Sequence, residues 1–92
     1  MSKIDFICNV PEYCPTGPSL QCPVKVDGVP AVYEITAEAL EDHFGARSYR
    51  SEDLVPAFLR NRQDIEQVAG SLFEMIGAKH IVLHSGHFRF AV

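Results

Sequence analysis

Polar and apolar positions alternate with a period of two over most of the first third of the chain, which is the pattern of strands with one buried face. From Lys3 to Cys8 the residues Ile4, Phe6 and Cys8 share one side and Asp5 falls on the other, predicting a first strand. Pro11 to Ser19 holds three prolines and a glycine and reads as a loop. Asp27-Gly28 is a two-residue hairpin signal, because a type I′ turn needs positive φ at both central positions. With that turn, Leu20, Cys22, Val24 and Val26 stand opposite Ile35, Tyr33, Ala31 and Val29 on one face. Gln21, Lys25 and Glu34 fall on the other face. Pro23 and Pro30 both land at pairs that exchange no hydrogen bond within the hairpin, so neither missing N–H disturbs this register.

The period changes at Ile35. Thr36 is suited to cap a helix whose first turn carries Glu38, with Ile35 and Leu40 at the two positions of a hydrophobic staple and Gly45 able to close the end. Ala39, Leu40, His43 and Phe44 share its apolar face. A second, longer helix is predicted after a polar connection at Arg47 to Arg50. With Asp53 as its cap, Pro56 sits in the first turn, where no helical N–H bond is lost. Its apolar positions, Leu54, Val55, Phe58, Leu59, Ile65, Val68, Ala69, Leu72, Phe73 and Ile76, recur at three- and four-residue steps as far as Gly77. One continuous helix of about 35 Å is expected. Alternation then resumes: with Ser85-Gly86 as a turn, Ile81, Leu83, Phe88 and Phe90 share one face, and His80, Val82, His84, His87 and Arg89 the other.

These elements predict one two-layer α+β domain over residues 1–92, with an antiparallel sheet in the order β-β-β-α-α-β-β. Its apolar face would be Val24, Val26, Val29, Tyr33, Ile81, Leu83 and Phe88, covered by a short and a long helix. The chain has 92 residues, enough for one core but not for a large interior pocket beside it. Hydrophobic residues at 47% and charged residues at 22% fit an ordinary globular class. No apolar run is long enough to span a membrane, and the N-terminus lacks a basic stretch followed by an apolar one, so a cytoplasmic location is expected. No membrane partner is expected. Free thiols are the default for Cys8, Cys14 and Cys22, an odd number without an export signal. The formal charge of -4 argues against a general phosphate-binding surface, so nucleic acid is a weak alternative.

Three clusters carry candidate chemistry. Arg47, Arg50, Arg60 and Arg62, with Ser48, Tyr49 and Ser51 nearby, could bind a phosphate or carboxylate at the start of the second helix. The structural alternative pairs Arg60 with Asp64 and Arg62 with Glu66 at i,i+4. His84 and His87 would be opposed across the last hairpin with Cβ atoms about 5 Å apart, close enough to share a transition metal. His80 lies too far along the strand to complete that site, and a solvated polar face is the alternative. The cysteine gaps of five and seven residues lack the paired spacing of a zinc knuckle, and nothing sets a histidine beside Cys14 to activate it. No Gly-rich phosphate loop, H-E-x-x-H, G-x-S-x-G or Cys-x-x-Cys motif is present, and no cofactor is implied.

The runs Val26 to Pro30, Ile35 to Ala46 and Ala57 to Glu66 resemble DUF1488, a family of short bacterial proteins of unknown function. The resemblance covers roughly residues 20 to 84 and implies a compact α+β fold without transferring any site. The expected role is a non-catalytic binding or interaction module, with a protein partner or a second copy of the chain engaged through the arginine region, an edge strand or the long helix. A metal-binding protein or small metal-dependent enzyme built on the C-terminal histidines is the alternative.

Overall fold

The computed structural model describes residues 3–88. Strands β1 (Ile4–Asp5), β2 (Glu12–Cys14), β3 (Ser19–Val26) and β4 (Val29–Thr36) precede helices α1 (Ala37–Phe44), α2 (Ser51–Arg60) and α3 (Arg62–Ile76). Strand β5 (His80–Leu83) and a 3-10 turn (Ser85–Phe88) follow. The sheet order is β1-β3-β4-β5, with β2 also on β3, so β1 and β2 share one edge of that strand. The fold is therefore α+β with an open, mostly antiparallel sheet.

The β3–β4 hairpin has the expected register: Leu20, Cys22, Val24 and Val26 face Ile35, Tyr33, Ala31 and Val29. Asp27 and Gly28 take φ of 52° and 79°, the positive values a type I′ turn demands. The prolines sit where no ladder is broken. Pro23 lies between the stretches of β3 paired with β1 and β2, and Pro30 lies before the part of β4 that pairs with β5. Leu20, Cys22, Val24, Tyr33 and Ile35 are buried, whereas Val26 is half-buried and Val29 exposed beside the end of α3.

Helix α1 has both expected ends. The Ala39 N–H donates to Thr36 Oγ1 at 3.1 Å, and Gly45, at φ 74°, returns its N–H to the Leu40 carbonyl. Ile35 stands opposite Leu20 in the sheet, and both Ile35 and Leu40 are fully buried in the core.

Four expectations need correction. The proline-rich loop contains β2, whose Tyr13 pairs with Leu20 and donates its hydroxyl to the Tyr49 carbonyl at 3.0 Å. The second helix begins at Ser51 instead of after Asp53. Arg50 holds its N-terminus through N–H bonds from Asp53 and Leu54 to the Arg50 carbonyl, and the Asp53 carboxylate accepts from Ser48. Pro56 then lies inside the helix and withholds one N–H from it.

The single long helix is also two, broken at Asn61 with φ -120° and ψ 19°. Asn61 Nδ2 donates to the Ala57 carbonyl at 2.9 Å, while its backbone N–H turns to Phe58. A short polar side chain thus replaces the helical bond it interrupts. The bend lets α2 pack on α1 while α3 packs on β5.

Finally, β5 pairs with β4 in parallel, with Tyr33 beside Ile81 and Ile35 beside Leu83. Return through three helices is a crossover, which sets the strand down in the same direction. No hairpin forms at Ser85-Gly86. The 3-10 turn instead brings Phe88 into the core, its ring 5.1 Å from that of Phe44 and nearly perpendicular. The expected last strand therefore fails at His87 and Phe88, and its remainder, Arg89 to Val92, lies outside the described residues.

Candidate functional site

The four arginines do not form one patch. The break at Asn61 puts Arg60 at the end of α2 and Asp64 in α3, so the i,i+4 geometry that would pair them is lost. Arg62 and Glu66 both lie in α3, and that pair forms, Nε to Oε2 at 2.8 Å. Arg62 further donates to the Asn9 carbonyl at 3.1 Å and lies over the Phe58 ring at 5.9 Å from its centroid. It is a structural tie between α3 and the N-terminal segment. Arg50 makes a long, exposed contact with Glu52 at 3.4 Å.

Arg47 and Arg60 are different. They line a common concavity of about 360 Å³ with Gly45, Glu52, Asp53 and Pro56. Among the described residues neither makes an ion pair or a side-chain hydrogen bond. Of the acids that line it, Glu52 makes the exposed contact with Arg50 and Asp53 accepts from Ser48. The closure of α1 at Gly45 and the early start of α2 bring these two cations to one hollow.

His84 and His87 do come together, with ring centroids 5.8 Å apart. A 3-10 turn, not a hairpin, places them. The His84 N–H donates to His87 Nδ1 at 2.8 Å, which occupies one of the lone pairs a metal would need. His80 points elsewhere, its Nε2 3.5 Å from Glu34 Oε1. Among the described residues no group of three or more His, Cys, Asp or Glu is arranged to hold a metal ion. His87 instead lines an apolar groove of about 430 Å³ with Val68, Leu72 and Met75 of α3.

Three further polar clusters escaped the sequence reading. Ser85 Oγ donates to Asp42 Oδ2 at 2.7 Å and lies 3.1 Å from His43 Nε2, an Asp, Ser and His set that resembles a nucleophile with its base. The same nitrogen, however, sits 2.9 Å from the Ser85 carbonyl, which has no proton to give. His43 Nε2 must donate there, and the serine proton goes to Asp42, so no free base faces the hydroxyl. The set fastens the 3-10 turn to α1. Pairing of β3 with β4 likewise converges Ser19, Gln21 and Glu34 on the outer sheet face: Ser19 Oγ and Gln21 Nε2 donate to the Glu34 carboxylate at 3.0 and 2.8 Å. The alternation had already set Gln21 and Glu34 on that face, although not in contact.

The third cluster is buried. Among the described residues the Tyr33 hydroxyl has no nitrogen or oxygen partner. Its polar neighbour is the Cys22 thiol. Burial pushes that thiol up from 9.0 to about 12, and drives the Tyr33 hydroxyl up as well. Both stay protonated at neutral pH in the closed fold. Cys8 is buried beside Cys22, whereas Cys14 is half-exposed and its Sγ donates to the Thr16 carbonyl at 3.8 Å.

No helix among the described residues is long and apolar enough to cross a membrane. No curated protein and no solved structure matches the chain. The family model described as protein of unknown function (DUF1488) matches residues 4–83, and so takes in the cysteine- and proline-containing segment that the resemblance over residues 20 to 84 had left aside. With the hairpin, the capped α1 and the crossover to β5 all inside that span, the chain belongs to the DUF1488 family.

Proposed function

We propose that this protein is a non-catalytic binding module that takes an acidic side chain of a protein partner between Arg47 and Arg60. One observation carries the reading: two arginines that, among the described residues, make no ion pair or side-chain hydrogen bond line one hollow. A guanidinium fits a carboxylate through two parallel N–H bonds, and a concave site removes part of the water that would compete. A protein partner is favoured over a long polyanion because the net charge of -4 repels the latter and two cations release few counterions. A second copy of the chain is the other partner to be distinguished, with β5 as one sheet edge among the described residues.

The test is an NMR titration of arginine Nε–Hε signals at low salt with a short glutamate-rich peptide, and in parallel with inorganic phosphate and a single-stranded oligonucleotide. Saturable shifts at Arg47 and Arg60 with the peptide, lost in the Arg47→Gln/Arg60→Gln double variant, are expected. Unmoved signals, or equal drift of every arginine, refute the reading. A dimer mass in light scattering that persists in the double variant would assign the partner to the strand edge instead.

A further inference from the structure

The N-terminal segment is fastened to β3 more lightly than the rest of the sheet. Its ladder holds two pairs, Ile4 with Val26 and Asp5 with Lys25. Continued in the same antiparallel register, Ile7 falls opposite Pro23, which has no N–H to give, and Cys8 falls opposite Cys22. The ladder ends where its next bond would have needed that proline.

Beyond the two observed pairs, an opposition of Cys8 and Cys22 in this register would be of a particular kind. The Val32 N–H points away from β3 to the Lys79 carbonyl, so Pro23 and Val32 form a pair without mutual hydrogen bonds. Cys22 and Tyr33, the next pair, must then be the hydrogen-bonded type, and the backbone groups of Cys22 point to β4. Toward the N-terminal segment Cys22 is a non-hydrogen-bonded position, the class with Cα atoms about 4.5 Å apart and side chains closest. In the extended register the two Cα atoms would therefore stand within the roughly 4.4–6.8 Å span that a disulfide bridges. Both side chains lie on the core side, with exposures of 6% for Cys8 and 0% for Cys22, and Cys8 is a near neighbour that raises the proton affinity of the Cys22 thiol.

We infer that Cys8 and Cys22 are a dithiol pair that peroxide closes to an intrachain disulfide, clipping the N-terminal segment to the central strand. One thiolate attacks the peroxide O–O bond and becomes a sulfenic acid as hydroxide leaves. The second thiolate displaces hydroxide from that sulfur, forming the S–S bond. The two thiols give up two electrons and two protons, and two waters are produced. Burial keeps the pair reduced until the segment opens, and beyond the bonds at Lys3 and Asp27 its ladder on β3 holds two pairs. Cys14, on β2 opposite Ser19, is left out of the bridge. The segment that closure would clip also carries Asn9, whose carbonyl already accepts from Arg62 in the reduced protein.

The experiment oxidises the full chain with hydrogen peroxide, natively and in urea, and maps the bridges by mass spectrometry. Cleavage after Glu12 and after Leu20 places the three cysteines on separate peptides. The native protein should lose the mass of two hydrogens, its free thiols should fall from three to one, and Cys8 should be joined to Cys22. In urea the shorter loops that end at Cys14 should compete, because closure favours short separations when no fold holds the ends. Cys14→Ser should leave native bridge formation unchanged, and reduction with dithiothreitol should restore both thiols. Native bridges that involve Cys14, or oxidation confined to a Cys14 sulfinic acid with Cys8 and Cys22 still free, would overturn the inference.

Discussion

Gly70 is the position at which helix propensity and tertiary contact can be weighed against each other most directly. It lies inside α3, where a glycine costs about 0.8–1.0 kcal/mol relative to alanine because more backbone freedom must be lost. Its missing side chain faces the N-terminal strand. A Cβ placed there would lie 3.7 Å from Ile4 Cδ1 and 3.9 Å from Phe6 Cζ, ordinary van der Waals separations. Gly70→Ala should therefore gain the propensity term and a few tenths of a kcal/mol from a half-buried methyl, about 1 kcal/mol in all. For a domain of this size that raises Tm by roughly 4–8 °C. Urea unfolding followed by circular dichroism checks it: the midpoint should move up by about 0.5–1 M with an unchanged slope. Gly70→Val, whose extra carbons enter the space of Ile4 and Phe6, should lose about 1–3 kcal/mol. If Gly70→Ala destabilises the protein, the packing of β1 on α3 leaves less room than these distances imply, and the reasoning fails.

Two other outcomes follow from the same physics. Arg62→Ala should cost about 1–2 kcal/mol, since it removes a charged hydrogen bond to Glu66, another to Asn9 and the cover of Phe58, whereas Arg60→Ala should fall within about 0.5 kcal/mol of wild type; equal effects in urea unfolding would contradict the separation of the two arginines. Stability should also fall as pH rises from about 9 toward 12, because the Cys22 thiol loses its proton near 9.0 in the unfolded chain and only near 12 in the fold, so base favours the unfolded state. Tyr33 adds in the same direction, and one such group contributes a slope of about 1.4 kcal/mol per pH unit. Unfolding of Cys22→Ala across this range should show a shallower decline, and an unchanged slope would count against the assignment.

The candidate site was legible only in part. That Arg47 and Arg60 are functional candidates could be read from the clustering of basic residues, but so could Arg50 and Arg62, and nothing local separates the four. Arg62 is removed by Phe58 and Asn9, which touch it only after the chain folds back. The proximity of His84 and His87 was foreseen through the wrong element, since a turn at Ser85-Gly86 brings both rings together whether the chain continues as a strand or as a 3-10 turn. Core anchoring of Phe88 against Phe44 decided between them.

By itself the sequence determined the features that depend on neighbours a few residues away: the Asp27-Gly28 turn, the β3–β4 register that follows from it, and α1 with Thr36 and Gly45 at its ends. A turn residue and a period of two leave one register that buries Leu20, Cys22, Tyr33 and Ile35 together. Tertiary structure alone decided the direction of β5, the break at Asn61 and the company of Cys22. An alternating run such as His80 to Leu83 records which face is buried, not which strand lies beside it or which way it runs. The apolar period from Leu54 to Ile76 reads the same for one helix or two, and only the need to cover α1 and β5 at once selects the bend. Local periodicity encodes burial; direction and partnership come from how the buried faces share one small core.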